Sequence, residues 1–305
     1  MKTLLMFSGQ GSQYPNMGLD VINLVENKDK IKLAEEILGF NIKTALKNEN
    51  NELSQTKYTQ PLMVLVSILL FDEFKRNFNF DGLLGFSLGE YSALYAANIY
   101  DFETIINIVK VRSELMEDAA NKNPGKMAAV LNFETKKLEE VVNKHNNDHD
   151  LIVTIANYNA KSQLVISGND LGVNKVIDEL KALGVRRIIP LNVSGGFHSL
   201  LMKDSSNKLY EYLITQNKNK NIKPLYLNTT SKELVINDLE KELQKQMYSS
   251  VLFYQSIENT IKDGYIRFIE IGPGKVLRNL VSKNYENIEV LNVENIEDLK
   301  SLEEN

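Results

Sequence analysis

The sequence predicts an α/β protein in which a larger parallel-sheet subdomain carries a smaller inserted one. Two observations lead to this prediction. An apolar strand runs into Gly-x-Ser-x-Gly at residues 85–89 and a helix-forming segment follows, as in the nucleophile elbow of α/β-hydrolases. Between residues 125 and 198 the elements follow the order βαββαβ of a ferredoxin-like unit. We therefore expect an α/β-hydrolase-like subdomain at residues 1–124 and 199–305, and a ferredoxin-like subdomain at residues 125–198.

The chain begins with a predicted strand at residues 1–7 and continues into the glycine-containing loop 8–13. This loop has neither the third glycine of a dinucleotide fingerprint nor the Gly-Lys-Ser/Thr of a P-loop. We interpret it as a loop at the carboxyl edge of a parallel strand that presents Gln10 to a site, with a plain turn as the alternative. Residues 20–57 are polar and predicted to be helical, with their Lys and Asn clusters on the solvated surface.

Hydrophobic spacing and capping residues define the remaining elements. Before the insert we predict a buried helix at 61–76, a strand at 81–86 and a helix at 101–120, with Pro61 and Asp101 at the two helix starts. The predicted strands of the insert are 127–133, 151–155, 163–167 and 185–193, and its helices are 135–146 and 170–183. After the insert we predict helices at 199–214, 237–247, 253–262 and 275–284, and strands at 224–228 and 265–271.

Composition limits the possible functions. A net charge of −5 and a pI near 5.5 argue against broad binding to nucleic acid or to an anionic membrane. Without cysteine the chain forms no disulfide, thiol nucleophile or thiolate metal site, which suits a cytoplasmic protein. We expect the short apolar run at residues 1–7 to be a strand rather than a signal peptide, because no small-residue cleavage site accompanies it. The most apolar segment, Leu62–Leu70, is too short to span a membrane.

Ser87 is the candidate nucleophile. The tight turn is expected to force its backbone into a strained conformation, and Gly85 and Gly89 are needed where the strand and the helix approach closely. The hydroxyl then lies at a helix N-terminus, where free N–H groups and the helix dipole can stabilise an oxyanion. The alternative is a helix N-cap serine between two packing glycines.

The candidate base is found by elimination among three histidines. His145 and His149 lie in a polar connector that we expect to be solvated, with no apolar framework for a metal site. His198 follows a predicted strand and precedes a helix, and histidine is the usual base for a serine nucleophile. The alternative is a residue at a helix start with only local hydrogen bonds. No acidic residue clearly completes a triad, so the residues indicate a serine acyl-transfer or hydrolytic enzyme.

Five motifs occur in order along the chain: Gly9-Gln10-Gly11-Ser12-Gln13, Gly85-Phe86-Ser87-Leu88-Gly89-Glu90, Arg112-Ser113-Glu114-Leu115-Met116, Phe197-His198-Ser199 and Gly272-Pro273-Gly274-Lys275. Together they resemble the malonyl-CoA:acyl-carrier-protein transacylases of bacterial fatty-acid synthesis. The resemblance covers nearly the whole chain and implies an α/β-hydrolase-like subdomain with a ferredoxin-like insert. It also implies a ping-pong transfer of malonyl from malonyl-CoA to the phosphopantetheine thiol of acyl-carrier protein.

The resemblance implies a role for each matching residue. Ser87 is then the nucleophile and His198 its base, oriented by the backbone carbonyl of Gln246, while the amides of Gln10 and Leu88 form the oxyanion hole. The substrate-binding residues are then Arg112, which would hold the malonyl carboxylate as a bidentate pair, together with Phe197, Met116 and Asn157; Asn159 borders the same cleft. No metal or other cofactor is implied.

Three residues depart from the usual family pattern: Phe86 replaces a histidine, Ser8 a proline and Ser113 a glycine. None of them removes a chemical group from the mechanism, so they concern rate and fine specificity.

The expected partners are malonyl-CoA, with CoA as its product, and acyl-carrier protein. Because that carrier is acidic, we expect a local basic patch formed by Arg186, Arg187, Lys275, Arg278 and Lys283, each of which could equally be ordinary surface charge. We expect a monomer without nucleic-acid or membrane partners. The alternatives are a serine thioesterase or esterase, an acyltransferase that loads a polyketide-type carrier, and a non-catalytic acyl-CoA-binding protein.

Overall fold

The structure is a computed structural model that describes residues 1–146, 150–220 and 223–304; His149 lies outside these residues. The strands found there are β1 (Thr3–Phe7), β2 (Gly82–Gly85), β3 (Gly125–Leu131), β4 (Val153–Ala160), β5 (Gln163–Asn169), β6 (Ile188–Pro190), β7 (Leu225–Tyr226), β8 (Arg267–Ile271) and β9 (Glu289–Val293). The helices are α1 (Leu19–Ile22), α2 (Lys28–Leu38), α3 (Ile42–Lys47), α4 (Thr56–Asn77), α5 (Gly89–Ala96), α6 (Phe102–Lys122), α7 (Thr135–His145), α8 (Asp170–Ala182), α9 (Lys203–Leu213), α10 (Leu239–Gln246), α11 (Phe253–Lys262), α12 (Val276–Asn284) and α13 (Ile296–Glu303).

A parallel sheet with strand order β7-β2-β1-β8-β9 forms the larger layer of the molecule. Side chains of β1 alternate between its two faces, as the period of a strand requires. Leu5 and Phe7 join the core that includes α4, α5 and α6, whereas Leu4 and Met6 join the core that includes α11 and α12. A parallel sheet is stable when both of its faces are covered, and the predicted parallel sheet is confirmed.

A separate antiparallel sheet has the strand order β4-β5-β3-β6. Its elements follow the chain order β3-α7-β4-β5-α8-β6, which is the predicted βαββαβ order. One face packs on α7 and α8, and the other contributes Met127, Ala129 and Val165 to the core of the larger part. A bridge between Asn157 and Val251 ties the bulged end of β4 to the larger part.

The buried helix predicted to start at Pro61 begins at Thr56, so that prediction is wrong about the start. Proline at position 61 costs the helix one intrahelical hydrogen bond. The extra turn is held from outside the helix: Thr59 Oγ1 donates to the Leu53 carbonyl at 2.8 Å, and the Lys57 N–H donates to Glu117 Oε2 at 3.0 Å.

Two predicted strands have other lengths in the structure, and two elements of the structure were not predicted. The strand predicted at 185–193 is only Ile188–Pro190, and the one predicted at 151–155 continues to Ala160. The edge strand β9 and the helix α13 were not predicted.

Two residues expected on the solvated surface have protein partners instead. Asn27, in one of the polar clusters, is buried and donates to the Val21 carbonyl at 2.8 Å. His145 ends α7, where its Nε2 lies 2.7 Å from Glu179 Oε2. Neither residue therefore belongs to a fully solvated segment. In the described ranges, no helix combines the length and the apolar character needed to cross a membrane.

Candidate active site

The loops that follow the parallel strands meet at one edge of the sheet, because the carboxyl ends of parallel strands lie side by side. A cleft of about 480 Å³ opens between this edge and the antiparallel sheet. Its walls include most of the residues singled out in the sequence: Gln10, Ser87, Arg112, Met116, Asn157, Asn159, Phe197 and His198. Val276 and Leu277 of α12 line it as well.

The Gly-x-Ser-x-Gly stretch is a strained turn between β2 and α5. Ser87 has a φ of 51°, which a non-glycine residue adopts only when the surrounding structure holds it there. A Cβ on Gly85 would lie 2.0 Å from the Glu90 nitrogen, and one on Gly89 would lie 2.1 Å from the Phe7 oxygen. Both glycines are therefore required by the close approach of backbone segments.

Ser87 and His198 lie in direct contact, although 111 positions separate them in the chain: Ser87 Oγ is 2.7 Å from His198 Nε2. On the other side of the ring, His198 Nδ1 is 2.8 Å from the main-chain oxygen of Gln246. A carbonyl oxygen can only accept a hydrogen bond, so Nδ1 carries the proton and Nε2 presents its lone pair to the hydroxyl. His198 itself has a φ of 59°, and its N–H donates to the Met247 carbonyl at 3.1 Å.

Burial lowers the pKa of His198 to about 4, and the positive charge of Arg112 acts in the same direction. The ring is therefore neutral at physiological pH, the form that accepts a proton from a hydroxyl.

The Gln10 amide belongs to the loop after β1, and the Leu88 amide lies at the start of α5. Within the described residues neither of these N–H groups donates a hydrogen bond to the protein. Gln10 lines the cleft, and Leu88 follows Ser87 directly in the elbow. Free N–H groups beside a nucleophile can stabilise an oxyanion.

Arg112 projects from α6 and is only 1% exposed. Its Nη1 donates to Gln60 Oε1 at 2.6 Å and its Nη2 to Gln246 Oε1 at 3.3 Å, and its guanidinium lies 5.0 Å from the centre of the Tyr91 ring. Both hydrogen-bond acceptors are neutral amides. Burial lowers the pKa of Arg112 from its ordinary value. A buried cation with neutral partners is suited to an incoming anion.

Two side chains that the sequence analysis did not predict, those of Asn228 and Gln60, support these groups. Asn228, just beyond β7, accepts the Ser87 N–H on Oδ1 at 2.7 Å and donates from Nδ2 to the Gly85 carbonyl at 2.6 Å, so it braces the strained turn on both sides. Gln60 on α4 donates from Nε2 to Gln10 Oε1 at 3.3 Å. The signal for Asn228 was its position after a parallel strand, and for Gln60 a polar residue within an apolar helix.

The remaining predicted residues also border the cleft. Phe197 precedes His198, and its carbonyl accepts from Ser167 Oγ at 2.5 Å, which fixes the loop that carries His198 to β5. The thioether of Met116 lies 3.4 Å from Gln60 Nε2. Asn157 and Asn159 line the cleft from β4. Over the described ranges, no group of three or more His, Cys, Asp or Glu side chains is placed to hold a metal ion.

The site combines a parallel α/β sheet, a strained serine, and a neutral histidine whose Nδ1 faces a carbonyl oxygen. This combination is typical of serine acyl-transfer and hydrolytic enzymes. The buried Arg112 lines the same cleft.

Comparison with known proteins narrows this class. The acyl transferase domain family matches residues 4–303. The chain is 37% identical over 308 residues to the malonyl CoA-acyl carrier protein transacylase of Staphylococcus aureus strain MSSA476, covering 100% of this chain and 99% of that one. It therefore belongs to the acyl transferase family and, within it, to the malonyl CoA-acyl carrier protein transacylases.

Solved structures agree with this assignment. The crystal structure of MCAT from Streptococcus pneumoniae matches with a TM-score of 0.94 and 37% identity, covering 99% of both chains. A malonyl-transacylase solved in complex with its type II PKS acyl-carrier protein matches with a TM-score of 0.93 and 28% identity, covering 100% of both chains.

Proposed function

We propose that this protein transfers a malonyl group from malonyl-CoA to the phosphopantetheine thiol of acyl carrier protein, for fatty-acid synthesis. The observation that carries the proposal is Arg112, a buried cation held by neutral amides in the same cleft as Ser87 and His198. Malonyl is an acyl group that ends in a carboxylate. The activity named for the relatives, and the complex of one of them with a carrier protein, support the same reaction.

In the first step Ser87 Oγ attacks the thioester carbonyl carbon and passes its proton to His198 Nε2. The carbonyl electrons move onto oxygen, where the amides of Gln10 and Leu88 stabilise the negative charge. Collapse of this tetrahedral intermediate breaks the C–S bond. The CoA sulfur takes the proton from the imidazolium and leaves malonyl-Ser87.

The second step reverses this chemistry with a different thiol. The thiol of the carrier gives its proton to His198 and attacks the carbonyl of malonyl-Ser87. Collapse breaks the bond to Ser87 Oγ, which takes the proton back. Both steps use only groups of the chain and of the two substrates, so we propose that no metal or other cofactor takes part.

Arg112 accounts for the choice of a charged acyl group. Two N–H groups of its guanidinium can pair with the malonyl carboxylate, whereas an acetyl group offers the buried cation no charged hydrogen-bond acceptor. Phe197 and Met116 are proposed as the apolar walls of the acyl site, and Asn157 as a polar contact from β4.

We also propose that the two sheets are α/β-hydrolase-like and ferredoxin-like subdomains, formed by residues 1–124 with 199–305 and by residues 125–198. The antiparallel strand order and the insertion of that sheet between strands of the parallel one support this division. A cytoplasmic monomer is proposed from the resemblance and, for the cytoplasm, also from the lack of cysteine.

The carrier protein is proposed to dock near the cleft on a basic patch. Lys275 and Arg278 flank the cleft-lining residues of α12, and Lys283 lies near the end of that helix. Lys275 is also paired with Glu294 at 3.0 Å. Arg186 and Arg187 are exposed just before β6.

The proposal is tested by incubating the protein with malonyl-CoA and measuring the intact mass. A malonyl adduct that is absent from Ser87→Ala is expected, and no adduct on the unchanged protein would refute the covalent route. Release of CoA that needs no acceptor thiol would indicate a thioesterase. Faster loading of polyketide-type carriers in a panel of carrier proteins would place the enzyme in that pathway.

A further inference from the structure

Glu90 is a buried carboxyl group that the proposed chemistry does not use. It lies three residues after Ser87 in α5 and is only 1% exposed. Its Oε1 accepts the Asn228 N–H at 2.8 Å, and its Oε2 accepts a hydrogen bond from Gln246 Nε2. A carboxyl group removed from water must be held by such donors, and both of these come from residues that touch the active groups.

Gln246 is the residue through which Glu90 reaches the site. Its main-chain oxygen faces His198 Nδ1 at 2.8 Å. In its side chain, Nε2 also donates to the Ser87 carbonyl at 2.9 Å, while Oε1 accepts from Arg112 Nη2 at 3.3 Å. A carboxamide has a donor at one end and an acceptor at the other, so whatever fixes its orientation decides which end meets the arginine.

We propose that Glu90 is a positioning residue: by accepting from the NH₂ group of Gln246 it turns the carboxamide oxygen toward Arg112 and so sets the preference for acyl groups that carry a carboxylate. This inference rests on the proposed function, because it assigns the selectivity of the same site.

The hydrogen-bond pattern requires two acceptors at position 90. Glutamine at that position has one acceptor and one donor, so either the Asn228 N–H or the Gln246 NH₂ group then faces another N–H. Rotation of the Gln246 carboxamide would relieve this conflict, but it would point an NH₂ group at the guanidinium of Arg112 and displace it. Each outcome leaves a buried polar group without a partner.

The protonation state of Glu90 is consistent with this role. Burial raises its pKa to about 7, while the hydrogen bonds from Asn228 and Gln246 and the charge of Arg112 act in the opposite direction. Measurements at a pH of about 8 therefore examine the ionised form, which accepts from both donors.

The test compares Glu90→Gln with the unchanged protein at that pH, using malonyl-CoA and acetyl-CoA. We expect the ratio of the two kcat/KM values to fall about tenfold, which corresponds to about 1.4 kcal/mol, mainly through a higher KM for malonyl-CoA. Inactivation of Ser87 by a fluorophosphonate is measured alongside, and a loss of reactivity as large as the loss for malonyl-CoA would place the effect at the elbow that Asn228 braces and would overturn the proposal. An unchanged ratio in the folded variant would overturn the proposal.

Glu270→Gln is the matched control. Glu270 is also a fully buried carboxyl group with two donors, the N–H groups of Leu277 at 3.1 Å and of Arg278 at 2.8 Å, and neither donor belongs to Gln246. Its replacement should leave the malonyl-to-acetyl ratio unchanged. An equal loss of selectivity in Glu270→Gln and Glu90→Gln would mean that any missing buried carboxylate has this effect, and would also overturn the proposal.

Gln246→Met separates the side chain of Gln246 from its main-chain oxygen. We expect this variant to lose selectivity as Glu90→Gln does, and the double variant to lose no more than either single one. Independent, additive effects would contradict a route through Gln246. If Glu90→Gln does not fold, retention of the normal ratio by Gln246→Met overturns the proposal. Failure of the proposed function shows separately, as the absence of a malonyl adduct on the unchanged protein.

Discussion

Replacing Arg112 by glutamine should move the pH dependence of Ser87 reactivity to higher pH. In the folded protein the pKa of His198 is lowered to about 4, first by burial and then by the charge of Arg112. Glutamine keeps a polar side chain in this place but removes the charge. The pKa of His198 should therefore rise toward its ordinary value, and the base should become protonated at a pH where it is now neutral.

The expected effect is large at mildly acidic pH. At a pH of about 5, a base with a pKa of about 4 is about nine-tenths neutral, whereas a histidine with an ordinary pKa of about 6.5 is only about 3% neutral. The unchanged protein should therefore keep nearly all its reactivity at this pH. A full return to the ordinary pKa would lower the reactivity about thirtyfold. Arg112→Gln should fall between these limits because burial still acts on the ring.

The assay is the second-order rate of Ser87 phosphonylation by a small uncharged fluorophosphonate, followed by intact mass from a pH of about 4 to about 8. Such a probe has no carboxylate, so loss of the arginine does not alter its binding through a lost ion pair. Arg76→Gln is the control: Arg76 pairs with Glu73 at 2.8 Å on the last turn of α4. Circular dichroism at each pH confirms that the proteins are folded. An acidic limb near the ordinary histidine pKa in the unchanged protein, or no difference between the two variants, would refute the reasoning.

Three further predictions follow from the site and its surroundings. Arg112→Ala should lower kcat/KM for malonyl-CoA by about ten to a hundred times, as expected for lost hydrogen bonds to a charged group, and acetyl-CoA far less; equal losses in steady-state kinetics would contradict its assigned role. Burial raises the pKa of Glu270 to about 7, so between about 4.5 and 7 the folded state holds more protons than the unfolded state and the free energy of unfolding falls as pH rises. The difference in Tm between Glu270→Gln and the unchanged protein should therefore shift in favour of the variant over that range, and a difference independent of pH would count against the raised pKa. Transfer to an acidic carrier protein should slow as salt is added, whereas the first step with malonyl-CoA should respond less; identical salt dependence would argue against electrostatic docking of the carrier.

The parts of the site that the residues alone predicted are those encoded locally. The glycines at 85 and 89 indicate a close approach of the strand and the helix on either side of Ser87. The short distances from a Cβ at either position to neighbouring backbone atoms explain why no larger residue fits. His198 was found because only three histidines exist. In each case a short stretch or a small count contained the information.

The residues that local patterns did not single out depend on tertiary packing. In the sequence, Arg112 is one charged residue on a predicted helix, and only the family resemblance indicated a role for it. The packing of α4 against α6 buries it beside Gln60. Asn228 braces the elbow across a separation of 141 residues, which no local pattern records. The strand β9 was missed for a different reason: it is an edge strand with mostly half-buried side chains, so its apolar pattern is weak.

Under the proposed mechanism, Gln246 has two functions that mutation can separate. Its main-chain oxygen lies 2.8 Å from His198 Nδ1, and no substitution at position 246 removes that oxygen. Its side chain meets Arg112, Glu90 and the Ser87 carbonyl, and a substitution removes all three contacts. Because the two functions use different atoms, the base can stay oriented while the carboxylate site changes. Under the proposed mechanism, variation at position 246 or at its partner Glu90 would therefore alter which acyl group is chosen before it alters how the acyl group is transferred.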